Sequence, residues 1–244
     1  MRGRDSPVRY KESALENVAR NLAAVRARME HAAERAGRDP GAIRLLAVSK
    51  AQPVEVLEAA WEAGQQDFGE NYLQEALPKL AALFEHDLRW HFIGGLQSNK
   101  TRAVAEHFDW VHTVDRESIA RRLSEQRPAE LPPLHLCLQV NVSGEGSKGG
   151  VAPERLPELA DAVVALPRIR LRGLMAIPAP AKDFEAQRAP FRQMRELLGQ
   201  LNARGHNLDT LSMGMSEDLE AAILEGATLV RVGTAIFGQR PKAL

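Results

Sequence analysis

Lys50 ends the apolar run LLAVSK, where its ammonium emerges from a hydrophobic floor. Desolvated there and close to another cation, a lysine has a lowered pKa and forms Schiff bases with aldehydes. A lysine so placed can equally snorkel to solvent. Two later segments bear on the choice. LSMGMSED carries Ser212 and Gly214, and VRVGTAIFG carries Arg231, Gly233 and Thr234. A hydroxyl, glycines that let backbone amides approach a ligand, and a helix start with free N–H groups together make a cup for phosphate. Taken one at a time, these residues are ordinary caps and turns. Arg231, two residues before Gly233, can bind a carboxylate, stack, hydrogen-bond a heterocyclic nitrogen, or sit in an internal salt bridge. A lysine for an aldehyde, a cup for phosphate and an arginine facing a ring nitrogen match the three handles of pyridoxal 5′-phosphate.

Such residues need a scaffold that gathers strand ends. Leu15, Val18, Leu22, Val25, Met29 and Ala32 recur at three- and four-residue steps, which predicts an amphipathic helix over about residues 8–36, stopped by Gly37 and Pro40. Beyond it, short Leu/Val/Ile runs alternate with amphipathic segments. Strands are predicted at 44–48, 67–68, 90–93, 110–113, 134–140, 171–176, 210–213 and 229–232, with a helix after each of the first seven. Strand–helix alternation means crossover connections and a parallel sheet, and eight such units in ~250 residues is the size of a TIM barrel. No G-x-G-x-x-G follows the first strand, which weakens an open doubly wound sheet. The last strand is followed only by 234–237, so the N-terminal helix is expected to cover the gap left by an eighth helix. The expected fold is an α/β single-domain TIM (β/α)8 barrel over 1–244, with the barrel at about 44–238 and an extra N-terminal helix. Function then belongs at the carboxyl ends of the strands. These are Lys50, Glu70 with Asn71, His91 to Gly95, His112, Asn141, Met175 to Pro178, Ser212 to Ser216, and Arg231 to Thr234.

Composition removes other classes. With 32 Lys+Arg against 32 Asp+Glu, the 244 residues carry no basic footprint for nucleic acid or anionic lipid. No apolar run approaches the ~18 residues of a membrane span. The charged start MRGRDSPVRY lacks the apolar region of a signal peptide, and a lone Cys137 makes no internal disulfide, so a cytoplasmic protein is expected. His91 and His112 are too few, with no evident carboxylate companion, for a metal site; they are expected to be packing or capping residues. The glycines from Gly144 to Gly150 lack P-loop order and read as a flexible loop over the mouth. Met213 and Met215 are expected to line the barrel top or pack beneath it. Helices with one apolar face need no partner to cover them, so a monomer is expected.

LLAVSK, AGQQDFGENYLQEA, WHFIGGLQSNK, QVNVSGEGSKGGV, LRGLMAIPAP and TLSMGMSEDLEAAILEGATLVRVGTAIFGQR resemble the pyridoxal phosphate homeostasis protein family, the YggS-like or PROSC-like proteins, from about Arg44 to Arg240. The resemblance implies a barrel similar to the N-terminal domain of alanine racemase. It also implies binding of pyridoxal phosphate in vitamin B6 and amino-acid homeostasis, without established turnover. On matching motifs, Lys50 resembles the Schiff-base lysine, Ser212 with the Gly233 and Thr234 amides the phosphate site, Arg231 the residue facing the pyridine nitrogen, and Asn71 of GENY a pocket residue near the ring. Gln52 stands where the family often has a second lysine, so an accessory role for that lysine in cofactor exchange is not expected here. Lys100 of QSNK and Lys148 of GSKGG match family lysines near the mouth, with no role implied.

An arginine cannot accept the pyridine proton, and racemisation needs a base on each face of the α-carbon. Alanine racemases, to which the barrel is similar, take the second base, a tyrosine, from a separate domain of a partner subunit. Only Tyr10 and Tyr72 occur here, opening the first helix and the second barrel helix. The expectation is a protein that holds the cofactor without efficient turnover, with apo-enzymes as candidate acceptors. The competing readings are a small pyridoxal-phosphate-dependent amino-acid racemase, a phosphosugar lysine aldolase, and a pure interaction module.

Overall fold

From Arg44 onward the short Leu/Val-rich runs become strands and the longer amphipathic runs become helices. The chain, described here by a computed structural model over residues 7–143 and 149–238 with side chains from residue 17 on, begins with α1 (Pro7–Arg35). Then follow β1 (Arg44–Val48), α2 (Val54–Glu62), β2 (Asp67–Glu70), α3 (Leu73–Ala82), β3 (Arg89–Phe92), α4 (Thr101–His107), β4 (Trp110–Val114) and α5 (Glu117–Gln126). The second half holds β5 (Leu134–Gln139), α6 (Leu156–Val164), β6 (Ile169–Met175), α7 (Phe184–Ala203), β7 (Thr210–Ser212), α8 (Leu219–Leu224), β8 (Leu229–Val232) and α9 (Thr234–Phe237). The strands are parallel and form a closed barrel in chain order, with Arg44 to Ala47 of β1 in register with Leu229 to Val232 of β8. The expected TIM barrel is therefore present. Most of the loop expected over the mouth, Gly144 to Lys148, lies outside the described residues, as does the side chain of Tyr10.

Two apolar layers of unequal size follow from closure, because strand side chains alternate between the lumen and the helices. The outer layer is the larger, and Phe68, Phe108 and Phe191 are fully buried in it. Met213 packs there too, beneath the barrel top. Inside, apolar contacts reduce to two small groups: Leu46, Ile93 and Leu229, and Trp110, Cys137 and Met175. Much of the remaining lumen is polar, and the site depends on that.

Helix α1 takes the place of an eighth barrel helix, packing on α2, α8 and α9. Val18, Leu22, Val25, Met29 and Ala32 bury its stripe. Its polar edge is tied down as well: Asn21 Nδ2 donates to Ile236 O at 2.9 Å, and Arg28 forks onto Glu220 at 2.7 and 2.9 Å. Boundaries differ from the sequence reading where polar residues sit in strands. β2 runs on through Gly69 and Glu70, because a glycine lies flat against Leu46 and Ile93 and Glu70 finds partners inside. No described helix is long and apolar enough to cross a membrane. Leu22→Ala should cost about 2–5 kcal/mol through the cavity it leaves between α1 and the barrel. Urea unfolding should show this as a lowered midpoint at unchanged slope.

Candidate functional site

β1 stops at Val48, and the next four residues make a turn closed by Gln52 N–H donating to Ser49 O at 3.0 Å. Lys50 and Ala51 are its central residues. Ala51 stands at φ 60°, where an L side chain costs about 1–2 kcal/mol. Helix α3 holds the strained turn from one face, since residues four apart are neighbours on a helix. Glu75 Oε2 accepts from Ala51 N at 3.0 Å, and Lys79 Nζ donates to Ser49 O and to Glu70 Oε1, both at 2.8 Å. Ser49 Oγ donates to the same Glu70 oxygen at 2.6 Å. Burial raises the Glu70 pKa, and the hydrogen bonds from Lys79 and Ser49 offset only part of the rise. The half-buried Lys50 thus rides on backbone clamped on both sides. The sequence reading missed Glu75 and Lys79; a lysine on the buried face of a short helix was the available signal.

Across the β8–β1 seam lie the other predicted residues. Arg231 is inside the barrel. Its Nη1 donates to Ser212 O at 2.6 Å and Ser212 Oγ at 2.8 Å, and its Nη2 to Ala176 O at 2.9 Å. Those bonds use three of a guanidinium's five N–H groups, and Arg231 forms no ion pair among the described residues, so the salt-bridge alternative is not what the fold makes of it. Burial lowers its pKa to about 10, which leaves it charged at neutral pH. A Cβ on Gly233 would lie 3.2 Å from Val48 O, so the end of β8 rests directly on the strand leading to Lys50. Thr234, exposed, opens α9, whose first N–H groups have no acceptor within the helix.

Asn71 follows β2 on the other side of β1. A Cβ on Gly94 would stand 2.0 Å from the Asn71 carbonyl oxygen, so only glycine admits this approach. Asn71 Oδ1 is a buried acceptor with no hydrogen-bond donor among the described residues. The structure therefore brings Lys50, Asn71, Ser212, Arg231, Gly233 and Thr234 to one end of four consecutive strands, β7, β8, β1 and β2. Lys100 is not among them: it closes the turn before α4, its N–H donating to Gln97 O at 3.0 Å. Lys148 lies outside the described residues.

Beneath Ser212 a polar file runs down the lumen. Ser212 Oγ and His112 Nδ1 are 2.8 Å apart, His112 Nε2 and His91 Nδ1 2.9 Å, and His91 Nε2 and Asp67 Oδ1 2.9 Å. Arg89 completes the file, forking onto Asp67 at 2.9 and 2.8 Å. His91 and His112, expected to lack a carboxylate companion, have one in Asp67. Twenty-four residues separate it from His91, and only strand register makes them neighbours. Burial lowers the pKa of His91 against the opposing pull of Asp67. Burial, reinforced by His91 and Arg231, takes His112 well below the usual imidazole range. Burial works to raise Asp67, but the hydrogen bonds from Arg89 and His91 outweigh it and hold the carboxyl below its usual range. Below the file, Trp110 lies under the guanidinium groups of Arg44 and Arg172, 4.7 and 5.0 Å from its ring centre.

Comparison with known proteins agrees with this architecture. A family model described as the N-terminal domain of alanine racemase matches residues 20–241. The pyridoxal phosphate homeostasis protein of Pseudomonas aeruginosa is 63% identical over 226 residues, covering 93% of this chain and 97% of its own. That of Escherichia coli is 55% identical over 229 residues, covering 93% and 98%. The structure of PipY from Synechococcus elongatus with PLP bound superposes with a TM-score of 0.80 at 38% identity, over 91% of this chain and 100% of its own. Alanine racemase from Corynebacterium glutamicum, with a TM-score of 0.70 at 19% identity over 94% of this chain and 62% of its own, shares the fold.

Two outcomes follow from this geometry. Ala51→Gly should raise stability by about 1 kcal/mol in chemical denaturation by relieving the positive φ. The lumen histidines should also make the fold acid-sensitive. Burial, with Arg172 nearby, lowers His135 to about 4, and burial lowers His91 and His112 as well. The unfolded chain, with imidazoles near 6.5, then binds more protons than the native one. Stability is full above about pH 6.5 and declines as pH falls toward about 4. Thermal midpoints across that interval should drop in the wild type and drop less in His135→Asn.

Proposed function

The chain belongs to the pyridoxal phosphate homeostasis protein family, and from that membership we propose that it binds pyridoxal 5′-phosphate at the barrel mouth, held by Lys50 and released again, without efficient turnover. The observation that carries this reading is Arg231: a buried guanidinium with no ion pair among the described residues and two N–H groups uncommitted, at the end of the strand that abuts the Lys50 turn. Asn71 Oδ1, buried and without a donor among the described residues, is a second feature that a polar ligand would satisfy.

When bound, pyridoxal phosphate supplies an aldehyde that a lysine amine traps reversibly as a Schiff base. The chain's own residues divide the remaining work. The clamp of Glu75, Lys79 and Ser49 fixes the backbone of Lys50, so the amine is presented from one place. Arg231 would hold the ring nitrogen with its uncommitted N–H groups and, having no lone pair to take a proton, would leave that nitrogen an acceptor. Asn71, at the end of β2, would stand as a polar pocket residue near the ring. Gly233 and Thr234 offer backbone N–H groups, with Ser212, to the phosphate. Racemisation would need a second base. Tyr72 is 62% exposed at the start of α3 and bonds neither to Arg231 nor to Ser212. The protein is proposed to act in the cytoplasm as a monomer, holding the cofactor for apo-enzymes that use it.

Visible absorbance before and after borohydride tests the reading. Wild-type protein soaked with pyridoxal phosphate should turn yellow, and reduction should fix the label to the peptide carrying Lys50. Lys50→Ala should stay colourless after washing. A label on another lysine removes Lys50 from the proposal, and steady formation of D-amino acids by the yellow protein would move it to the racemase reading.

A further inference from the structure

We propose that Asp67, His91 and His112 are positioning residues for Ser212: they form a reversible proton file through the barrel lumen that turns the serine from acceptor to donor when a phosphate monoester occupies the mouth. The inference rests on the reading above, in which the phosphate of pyridoxal phosphate lies at Ser212.

One carboxylate and two neutral imidazoles leave a single order for the hydrogens. Asp67 only accepts, so His91 carries its hydrogen on Nε2 and its Nδ1 is bare. His112 must then donate from Nε2 to that nitrogen, which leaves its own Nδ1 to accept from the Ser212 hydroxyl. Arg231 donates to the serine oxygen from the other side. Every hydrogen in the file therefore points away from the mouth. Ser212 has one hydrogen, already committed downward, and offers only lone pairs to anything above it. An oxyanion meeting lone pairs is repelled, so in this order Ser212 opposes the phosphate it is placed to bind.

One added proton reverses the file. A proton from solvent forms a new O–H bond on Ser212 as its original hydrogen passes to His112 Nδ1. The His112 Nε2 hydrogen passes at the same time to His91 Nδ1. Each transfer runs within a bond of 2.8 or 2.9 Å, and no side chain moves. His91 ends with both ring nitrogens protonated, and Ser212 with a hydrogen to give. The surrounding charges decide where the added charge rests. His112 faces His91, Arg231 on β8 and Arg44 on β1, which disfavour a cation, while Asp67 acts the other way. His91 faces Arg44 as well, but it touches the Asp67 carboxylate and lies near Asp109. Asp67 also edges a cavity of about 350 Å³ at the opposite end of the barrel, with Arg26, Arg44 and Arg89 on its walls. The charge brought in by a phosphate dianion is answered by an imidazolium held two residues deeper in the file.

Nitrogen-15 NMR of histidine-labelled full-length protein reads this order directly, with pyridoxal, which has the same aldehyde and no phosphate, as the control. In the free protein His91 and His112 should both be neutral with hydrogen on Nε2. With pyridoxal phosphate at about pH 8, His112 should move its hydrogen to Nδ1 and His91 should carry two; with pyridoxal neither should change. Calorimetry in buffers of differing ionisation enthalpy should find about one more proton taken up with pyridoxal phosphate than with pyridoxal. In His112→Asn, whose amide replaces Nδ1 but interrupts the file, that difference should vanish, and affinity for pyridoxal phosphate should fall about tenfold relative to pyridoxal. His91→Gln, which does not touch Ser212, should abolish the uptake as well; a purely structural role would leave it intact. If the wild-type protein turns yellow with both aldehydes while its tautomers stay fixed and proton uptake is equal, the file is static and the inference is overturned with cofactor binding unharmed. If pyridoxal phosphate gives neither colour nor heat, the binding reading fails and the inference fails with it. The wild-type spectra decide the matter even if a variant does not fold.

Discussion

The hydrogen bond from His91 to the Asp67 carboxylate fixes what stands above it. Closing eight parallel strands seals alternate side chains into a lumen away from bulk water, where an unpaired polar group is expensive and an unpaired charge more so. The chain does not fill this space with a conventional stack of branched aliphatics. It fills much of it with a carboxylate, two imidazoles, a hydroxyl and a guanidinium, each hydrogen-bonded to the next. An anion at one end and neutral imidazoles in the middle then dictate a single hydrogen order up to Ser212. The base of the barrel and its mouth are thus joined by one continuous series of hydrogen bonds.

The mouth itself combines stored strain with rigid support. Ala51 sits in a left-handed conformation that a free turn would not choose, and it stays there because Glu75 and Lys79 grip the peptides on either side of Lys50. Gly94 supports Asn71 by offering no side chain where the carbonyl needs space. Rigid presentation of one amine, one acceptor and one guanidinium suits reversible capture of a cofactor. It does not by itself supply the opposed bases that racemisation requires.

Much of the fold was legible because period and punctuation are local. LLAVSK, LHLCLQ and LVRV read as strands from their composition, and the stripe of Val18, Leu22, Val25 and Met29 gave α1 and its apolar face. The reading fell short where a strand was polar. The strand read at 67–68 extends through Gly69 and Glu70, which do not look like a buried strand, since Glu70 finds its partners on α3 and in the turn after β1. Lys79 resembles a surface lysine of an amphipathic helix until the turn it clamps is seen.

The sequence by itself determined the periodic alternation, the eightfold count, and the residue types that stand at strand ends, because these depend on neighbours within a few positions and on the family motifs the chain carries. The tertiary structure alone decided which of those residues face one another. Asp67, His91, His112, Ser212 and Arg231 span more than half of the chain and become one hydrogen-bonded file only when the barrel closes. Closure fixes strand register, and register, unlike propensity, is set by the whole ring of strands at once.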